Sequence, residues 1–119
     1  MSNITKTTFG GEGTLNLFKR VNCQETISFT FKDENGDPYI YPGNNFTFIV
    51  KKNFGDKKNV FSLDSSSGLV LTSNVLDITI SSSDSNINEG QYYYQLLYSG
   101  QVRINGNITF YNGTVNAAN

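Results

Sequence analysis

The chain contains several short segments in which apolar and polar residues alternate. In the clearest of them, Ile27, Phe29 and Phe31 alternate with polar neighbours. A period of two is typical of a strand with one buried face and one face in water. The same period predicts further strands at residues 46–51, 75–80, 91–99 and 102–110, and shorter apolar pieces at 60–63 and 69–71 predict a hairpin.

Turn-forming residues separate these segments. Asn35-Gly36 and Ser99-Gly100 predict tight turns, because these residues accept a positive φ more readily than others do. Gly106 interrupts the last strand, which predicts a bulge or a close approach of another backbone. About seven short strands with turn signals every 8–12 residues or so predict an all-β, antiparallel sandwich, with a small barrel as the alternative.

The pattern divides the chain into three parts. Residues 1–24 are predicted to form a partly extended N-terminal arm, residues 25–111 the sandwich, and residues 112–119 a polar tail. Leu15, Leu17 and Val21 indicate a short strand within the arm, but Lys19-Arg20 interrupts its alternation.

Composition narrows the chemistry that is available. Asn, Ser and Thr make up 39 of the 119 residues, and these types are poor helix formers because they compete for backbone hydrogen bonds or lose side-chain freedom. The chain has no His and one Cys, which excludes His-based triads, most zinc sites and a disulfide within the chain. We therefore assign no catalytic residue, cofactor or metal ligand, and expect that the protein is not an enzyme.

Charge and hydropathy bear on partners and location. The formal net charge is −1, and the sequence contains no cluster of basic residues of the kind that predicts nucleic-acid binding. No apolar run approaches the roughly 20 residues of a membrane span, and the polar N-terminus does not resemble a secretory signal. We expect synthesis in a cytoplasm and no membrane partner.

Three clusters of residues are candidates for binding roles. Asp33, Asn35 and Asp37 begin like a calcium loop, but the required Gly and Glu positions hold other residues, which favours a plain turn. The lysines at 51, 52, 57 and 58 could meet phosphate or an acidic partner, although a solvated hairpin end is favoured because Asp56 lies among them.

The third cluster is a run of tyrosines. Tyr92, Tyr94 and Tyr98 share a strand face with Leu96 and are predicted to lie in the core. Tyr93 falls on the opposite face, where an aromatic ring can stack on a ligand.

The order of these motifs resembles the Ig-like domains of bacteriophage structural proteins, including the upper baseplate protein N-terminal domain. The similar stretches are Glu-Thr-Ile-Ser-Phe-Thr-Phe-Lys-Asp-Glu-Asn-Gly-Asp-Pro at 25–38, Phe-Thr-Phe-Ile-Val-Lys at 46–51, Glu-Gly-Gln-Tyr-Tyr-Tyr at 89–94 and Gly-Asn-Ile-Thr-Phe at 106–110. The resemblance covers about 85 residues and implies an immunoglobulin-like sandwich without catalytic residues.

The resemblance also implies a role in a virion, as a head-decoration, head-fibre or neck or tail accessory module. Its partners would be capsid, portal, neck or tail subunits, with the chain forming an oligomer within the particle. We expect the arm and the sheet edges to make these contacts, through Phe9, Leu15, Leu17, Phe18 and Tyr93. The alternative is a carbohydrate-binding or host-surface adhesin module that binds a host glycan through Tyr93, Tyr39, Tyr41 or the loop at 81–90.

Overall fold

The computed structural model describes the backbone of residues 3–9 and 13–112 and the side chains of residues 15–112. Its strands are β1 (Asn3–Phe9), β2 (Gly13–Thr14), β3 (Leu17–Arg20), β4 (Glu25–Lys32), β5 (Phe46–Lys51), β6 (Phe61–Asp64), β7 (Leu69–Thr72), β8 (Val75–Ile80), β9 (Gly90–Tyr98) and β10 (Gln101–Tyr111). No helix occurs among these residues, and so none of their elements is an apolar helix long enough to cross a membrane.

The strands form two sheets that enclose one hydrophobic core. The four-stranded sheet has the order β1-β4-β8-β7, and the six-stranded sheet has the order β2-β10-β9-β5-β6, with β3 also paired to β10. The pairings among β4 to β10 are antiparallel. These seven strands confirm the predicted all-β sandwich, and the arrangement is compatible with an immunoglobulin-like fold.

Aromatic rings join the two sheets at one end of the core. Phe31 of β4 stacks on Phe46 of β5 with ring centroids 5.7 Å apart. Tyr41 makes edge contacts with both rings, and Tyr98 packs against Tyr41 at 4.5 Å. A buried aromatic side chain removes about 150–250 Å² from water, so this cluster contributes strongly to holding the sheets together.

Two predicted turns are confirmed by their hydrogen bonds and dihedral angles. The Asp33 carboxylate accepts the backbone N–H groups of Asn35 at 2.9 Å and Asp37 at 3.0 Å, so it stabilises the turn itself. Ser99 and Gly100 have φ values of 50° and 84°, as a type I′ turn between two antiparallel strands requires.

The three strands before residue 24 are the main difference from the sequence pattern. β1 pairs in parallel with β4, and β2 and β3 pair in parallel with β10. Within residues 1–24, predicted as a partly extended arm, β3 overlaps the predicted short strand of Leu15, Leu17 and Val21 and lies in the six-stranded sheet. Residues 10–12 of the predicted arm and residues 113–119 of the predicted tail lie outside the described residues.

Candidate functional site

The five predicted partner contacts lie in different environments. Phe9 ends β1, and its side chain is outside the described residues. Leu15 is half-buried and Leu17 is fully buried in the core. Phe18 points away from the core and is 56% exposed, and Tyr93 is half-buried on the same outer face of the six-stranded sheet. Phe18 and Tyr93 therefore lie at the surface, separated by β10, while Leu17 supports the fold.

A buried ion pair fixes the connection between β3 and β4. Lys19 Nζ lies 3.6 Å from Glu25 Oε1, and both side chains are almost completely shielded from water. The ammonium also donates to the carbonyl oxygens of Arg20 and Cys23. Burial lowers the pKa of Lys19, and the Glu25 carboxylate opposes this shift. Lys19, which interrupts the apolar alternation of the sequence, therefore faces the core. Its ammonium is paired with one carboxylate and two carbonyl groups.

A second contact holds the chain just before β3 against β9 and β10. The Leu15 N–H donates to the Asn105 carbonyl at 3.0 Å, and the Tyr94 hydroxyl donates to the Leu15 carbonyl at 2.6 Å. A Cβ atom added to Gly106 would lie 2.1 Å from the Leu15 oxygen. The predicted close approach at Gly106 is confirmed, and the approaching backbone is that of residue 15.

Removing the Tyr94 hydroxyl tests this contact. We expect Tyr94→Phe to lower the free energy of unfolding by about 1–2 kcal/mol, because the Leu15 carbonyl loses its side-chain donor. Tyr92→Phe, on the same face of β9, is the matched control, since its hydroxyl donates to the Asn88 carbonyl instead. Urea unfolding of both variants at neutral pH measures the two losses. Hydrogen exchange at the Leu15 amide should rise only in Tyr94→Phe, and unchanged exchange there would contradict the assigned contact.

The same variant has an expected pH signature. Burial raises the pKa of Tyr94 well above its ordinary value of 10.0, so the folded state keeps this proton where the unfolded state loses it. The stability contributed by Tyr94 is therefore complete below pH 10.0 and is lost as the pH rises above it. The difference in stability between wild type and Tyr94→Phe should shrink in that range, and a constant difference would argue against a buried hydroxyl.

A groove lies beside Tyr93, where β5 ends in the six-stranded sheet. Phe54 stands edge-on to the Tyr93 ring, with centroids 4.8 Å apart and the ring planes at 90°. The groove has a volume of about 170 Å³. The residues that line it are Lys52, Asn53, Phe54, Gln91, Tyr92, Tyr93 and Asn107.

Strand pairing brings these residues together from three parts of the chain. Lys51 at the end of β5 pairs with Tyr93 of β9, and Tyr93 pairs with Asn107 of β10. After β5 the chain turns sharply, because the Asn53 N–H donates to the Asp56 carboxylate at 3.1 Å and the Asp56 N–H donates back to the Asn53 carbonyl. This turn presents Phe54 to solvent, where it is 70% exposed.

Lys52 places a positive charge at the wall of the groove. Its Nζ lies 4.4 Å from the centroid of the Tyr92 ring, which is a cation–π contact. Gly90 borders the same ammonium, since a Cβ atom at that position would lie 3.7 Å from Nζ. No side chain at residues 15–112 forms an ion pair or a hydrogen bond with Lys52. The groove therefore combines aromatic rings, amides and a cation that has no anionic partner in the part of the chain whose side chains are described.

The other tyrosines that were predicted to bind a glycan do not form an exposed platform with Tyr93. Tyr41 is buried in the core, and Tyr39 packs edge-on against it with ring centroids 5.1 Å apart. Tyr92 and Tyr94 are buried as predicted, and Tyr98 packs against the core. Of the three tyrosines predicted as glycan contacts, at 39, 41 and 93, Tyr93 is the one that lines this groove.

Comparison with known proteins assigns no family to this chain. No family model and no curated protein matches it. Similar solved structures include the N-terminal domain of phage TP901-1 ORF48 (15% identity, TM-score 0.48, covering 92% of this chain and 98% of that chain) and the copper protein rusticyanin (11%, 0.46, 92% and 76%). A third is Drosophila OTK, extracellular domains 3–5 (16%, 0.31, 83% and 33%). With every one of these TM-scores below 0.5, the likenesses assign no function.

Sequence reasoning did not identify Phe54, and it named Lys52 as one of four lysines that could meet phosphate or an acidic partner. Both residues lie in a segment predicted to be a solvated hairpin end, and three of its four lysines are exposed, at 52, 57 and 58. The signal that could have identified the site is an isolated Phe within a polar connection. This connection follows a strand that lies beside the strand of the tyrosine run.

Proposed function

We propose that this chain is a bacteriophage virion structural protein, an Ig-like module that docks on the particle through its N-terminal strand and sheet edges. The observation that carries the proposal is the position of β1. This strand forms an edge of the four-stranded sheet, and its one partner among the described strands is β4. Its parallel register runs from Asn3↔Thr26 to Phe9↔Lys32.

Edge pairing of this kind is readily made between chains. A strand that is hydrogen-bonded on one side can pair, through the backbone groups on its other side, with a strand of a neighbouring copy. Strand addition and domain swapping both use such pairing. The opposite edge of this sheet is β7, where the Asn44 side chain already donates to the Leu69 carbonyl at 3.0 Å and Val70 is 58% exposed. The β1 side is therefore our proposed main docking edge, with β7 as a second contact.

The sequence resemblance supplies the proposed context. The stretches similar to phage Ig-like domains span residues 25–111, which include all seven antiparallel strands. A near-neutral sandwich also suits assembly through complementary surfaces, because long-range repulsion between copies is small. The proposed partners are capsid, portal, neck or tail subunits, the proposed location is the virion, and the chain is proposed to form an oligomer there.

Deletion of residues 1–13 tests this role. We expect the deletion to abolish incorporation into particles that lack the chain, because the docking strand is removed. The sandwich should stay folded, since Leu17 and the Lys19–Glu25 pair are retained. Incorporation is measured by the stoichiometry of purified particles, and folding by circular dichroism and thermal unfolding.

A same-length variant separates strand pairing from chain length. Replacing residues 3–9 with Gly and Ser keeps the spacing but removes strand-forming side chains, so it should fail to incorporate as the deletion does. Normal incorporation of either variant, with the chain still folded, would overturn the proposed docking strand.

A further inference from the structure

We propose that the groove beside Tyr93 binds an acidic saccharide, with the sugar carboxylate on Lys52 and one sugar ring against Phe54. This inference concerns the groove where β5 ends in the six-stranded sheet and does not depend on the proposed docking strand.

The size of the groove selects a single ring. Its volume of about 170 Å³ is well below the roughly 300–1,000 Å³ of pockets that enclose drug-sized ligands. Phe54 is 70% exposed and braced edge-on by Tyr93, so it offers a fixed apolar surface at the rim. The C–H groups on one face of a pyranose form an apolar patch that packs on exposed aromatic rings, as bases stack on aromatic side chains. A six-carbon acid sugar therefore fits better than a larger acid sugar or an extended peptide.

The charge of the groove selects an anion. Lys52 is held over the Tyr92 ring, and Lys51, Lys57 and Lys58 belong to the same segment. The nearby carboxylate of Asp56 is bonded to the backbone of its own turn. A sugar carboxylate would give the Lys52 ammonium a charge-assisted hydrogen bond, which is about twice as strong as a neutral one.

Three carboxamides supply the contacts that sugar hydroxyls need. Asn53, Gln91 and Asn107 line the groove and are exposed, and each amide group both donates and accepts hydrogen bonds. Hydroxyl groups have the same dual character, so amides pair with them in either direction. Rings, amides and a cation that has no anionic partner among residues 15–112 together match a hexuronate more fully than a neutral sugar or a bare phosphate.

The test is titration of the full chain, followed by backbone amide NMR. The probes are short oligomers of galacturonic acid and of glucuronic acid, with a galactose oligomer as the neutral match. We expect a uronate oligomer to shift the amide signals of residues 52–54, 91–93 and 107, with a Kd near or below about 1 mM. The neutral oligomer should bind at least about tenfold more weakly, because it lacks the charged contact.

Two variants assign the binding to the groove. Lys52→Met keeps the apolar stem over Tyr92 and removes the charge, and should weaken uronate binding by about tenfold or more. Lys58→Met makes the same charge change in the same segment outside the lining and should have little effect. Phe54→Ala should also weaken binding, whereas Ile40→Ala, at another exposed apolar residue, should not.

Several outcomes would overturn the inference. These are no shifts with either uronate at about 10 mM, ten times a millimolar Kd, equal binding of the neutral oligomer, or equal losses in Lys52→Met and Lys58→Met. If uronates do not bind but Phe54→Ala impairs incorporation into particles, the groove is a protein contact and the saccharide assignment is wrong.

Discussion

Gly106→Ala is expected to lower the free energy of unfolding by more than about 3 kcal/mol, because two separate costs combine at this position. The φ of Gly106 is 153°, a region that L side chains rarely adopt. The new methyl group would also lie 2.1 Å from the Leu15 oxygen, so the chain before β3 must move. That movement breaks the hydrogen bonds that Leu15 makes with Asn105 and Tyr94.

Gly36→Ala is the matched control for Gly106→Ala. Gly36 has a φ of 86°, but a Cβ atom there would meet nothing within 4 Å. It should therefore show the backbone strain alone, about 1–2 kcal/mol. Urea unfolding of the two variants separates strain from steric contact, and equal losses would mean that the close approach to Leu15 does not constrain the fold.

Lys19→Met is expected to lower the free energy of unfolding by about 3–5 kcal/mol. The substitution leaves the Glu25 carboxylate buried without its cation, and it removes the ammonium that donates to the carbonyl groups of Arg20 and Cys23. Desolvation of an unpaired charge is the larger of these effects, since removing one partner of a buried pair costs more than the pair itself contributes.

A double-mutant cycle with Glu25→Gln checks this assignment. Glutamine still accepts the Arg20 N–H, a bond of 2.9 Å in the wild type, but carries no charge. The double variant Lys19→Met/Glu25→Gln should be more stable than the sum of the single losses predicts, because neither charge is left unpaired. Additive losses in urea unfolding would show that the ammonium and the carboxylate are not coupled.

The strands of the sandwich were predictable because their side-chain pattern and their burial agree. In β4 and β5 every second residue is buried, as the alternation of apolar and polar types indicates. β3 follows the same rule, but its second inward position is Lys19, and a charged residue there interrupts the apolar alternation that predicts a strand. β1, with the sequence Asn-Ile-Thr-Lys-Thr-Thr-Phe, offers no apolar alternation at all, and its pairing depends on backbone groups that sequence does not distinguish.

The groove was less accessible to sequence reasoning because it depends on register. The prediction placed Tyr93 on the face opposite the buried tyrosines, which is confirmed. Phe54 lies 39 positions earlier in the numbering, and nothing in either segment indicates that they meet. Their contact follows from the pairing of Lys51 with Tyr93, a property of how β5 lies beside β9. Local patterns indicate which face a residue occupies, whereas its neighbours on that face are set by strand alignment.

The parallel pairing of β3 with β10 has a consequence for the order in which the chain folds. β3 covers residues 17–20, and its partners lie at 108–111, so this contact forms only after β10 has been synthesised. Until then the six-stranded sheet that buries Leu17 is incomplete. The Leu15 N–H also lacks its acceptor, the Asn105 carbonyl. Contacts so distant along the chain form slowly, because a large loop must close first. A segment made early during translation is thus among the last to be packed, and during that interval it is open to contact with other chains or chaperones.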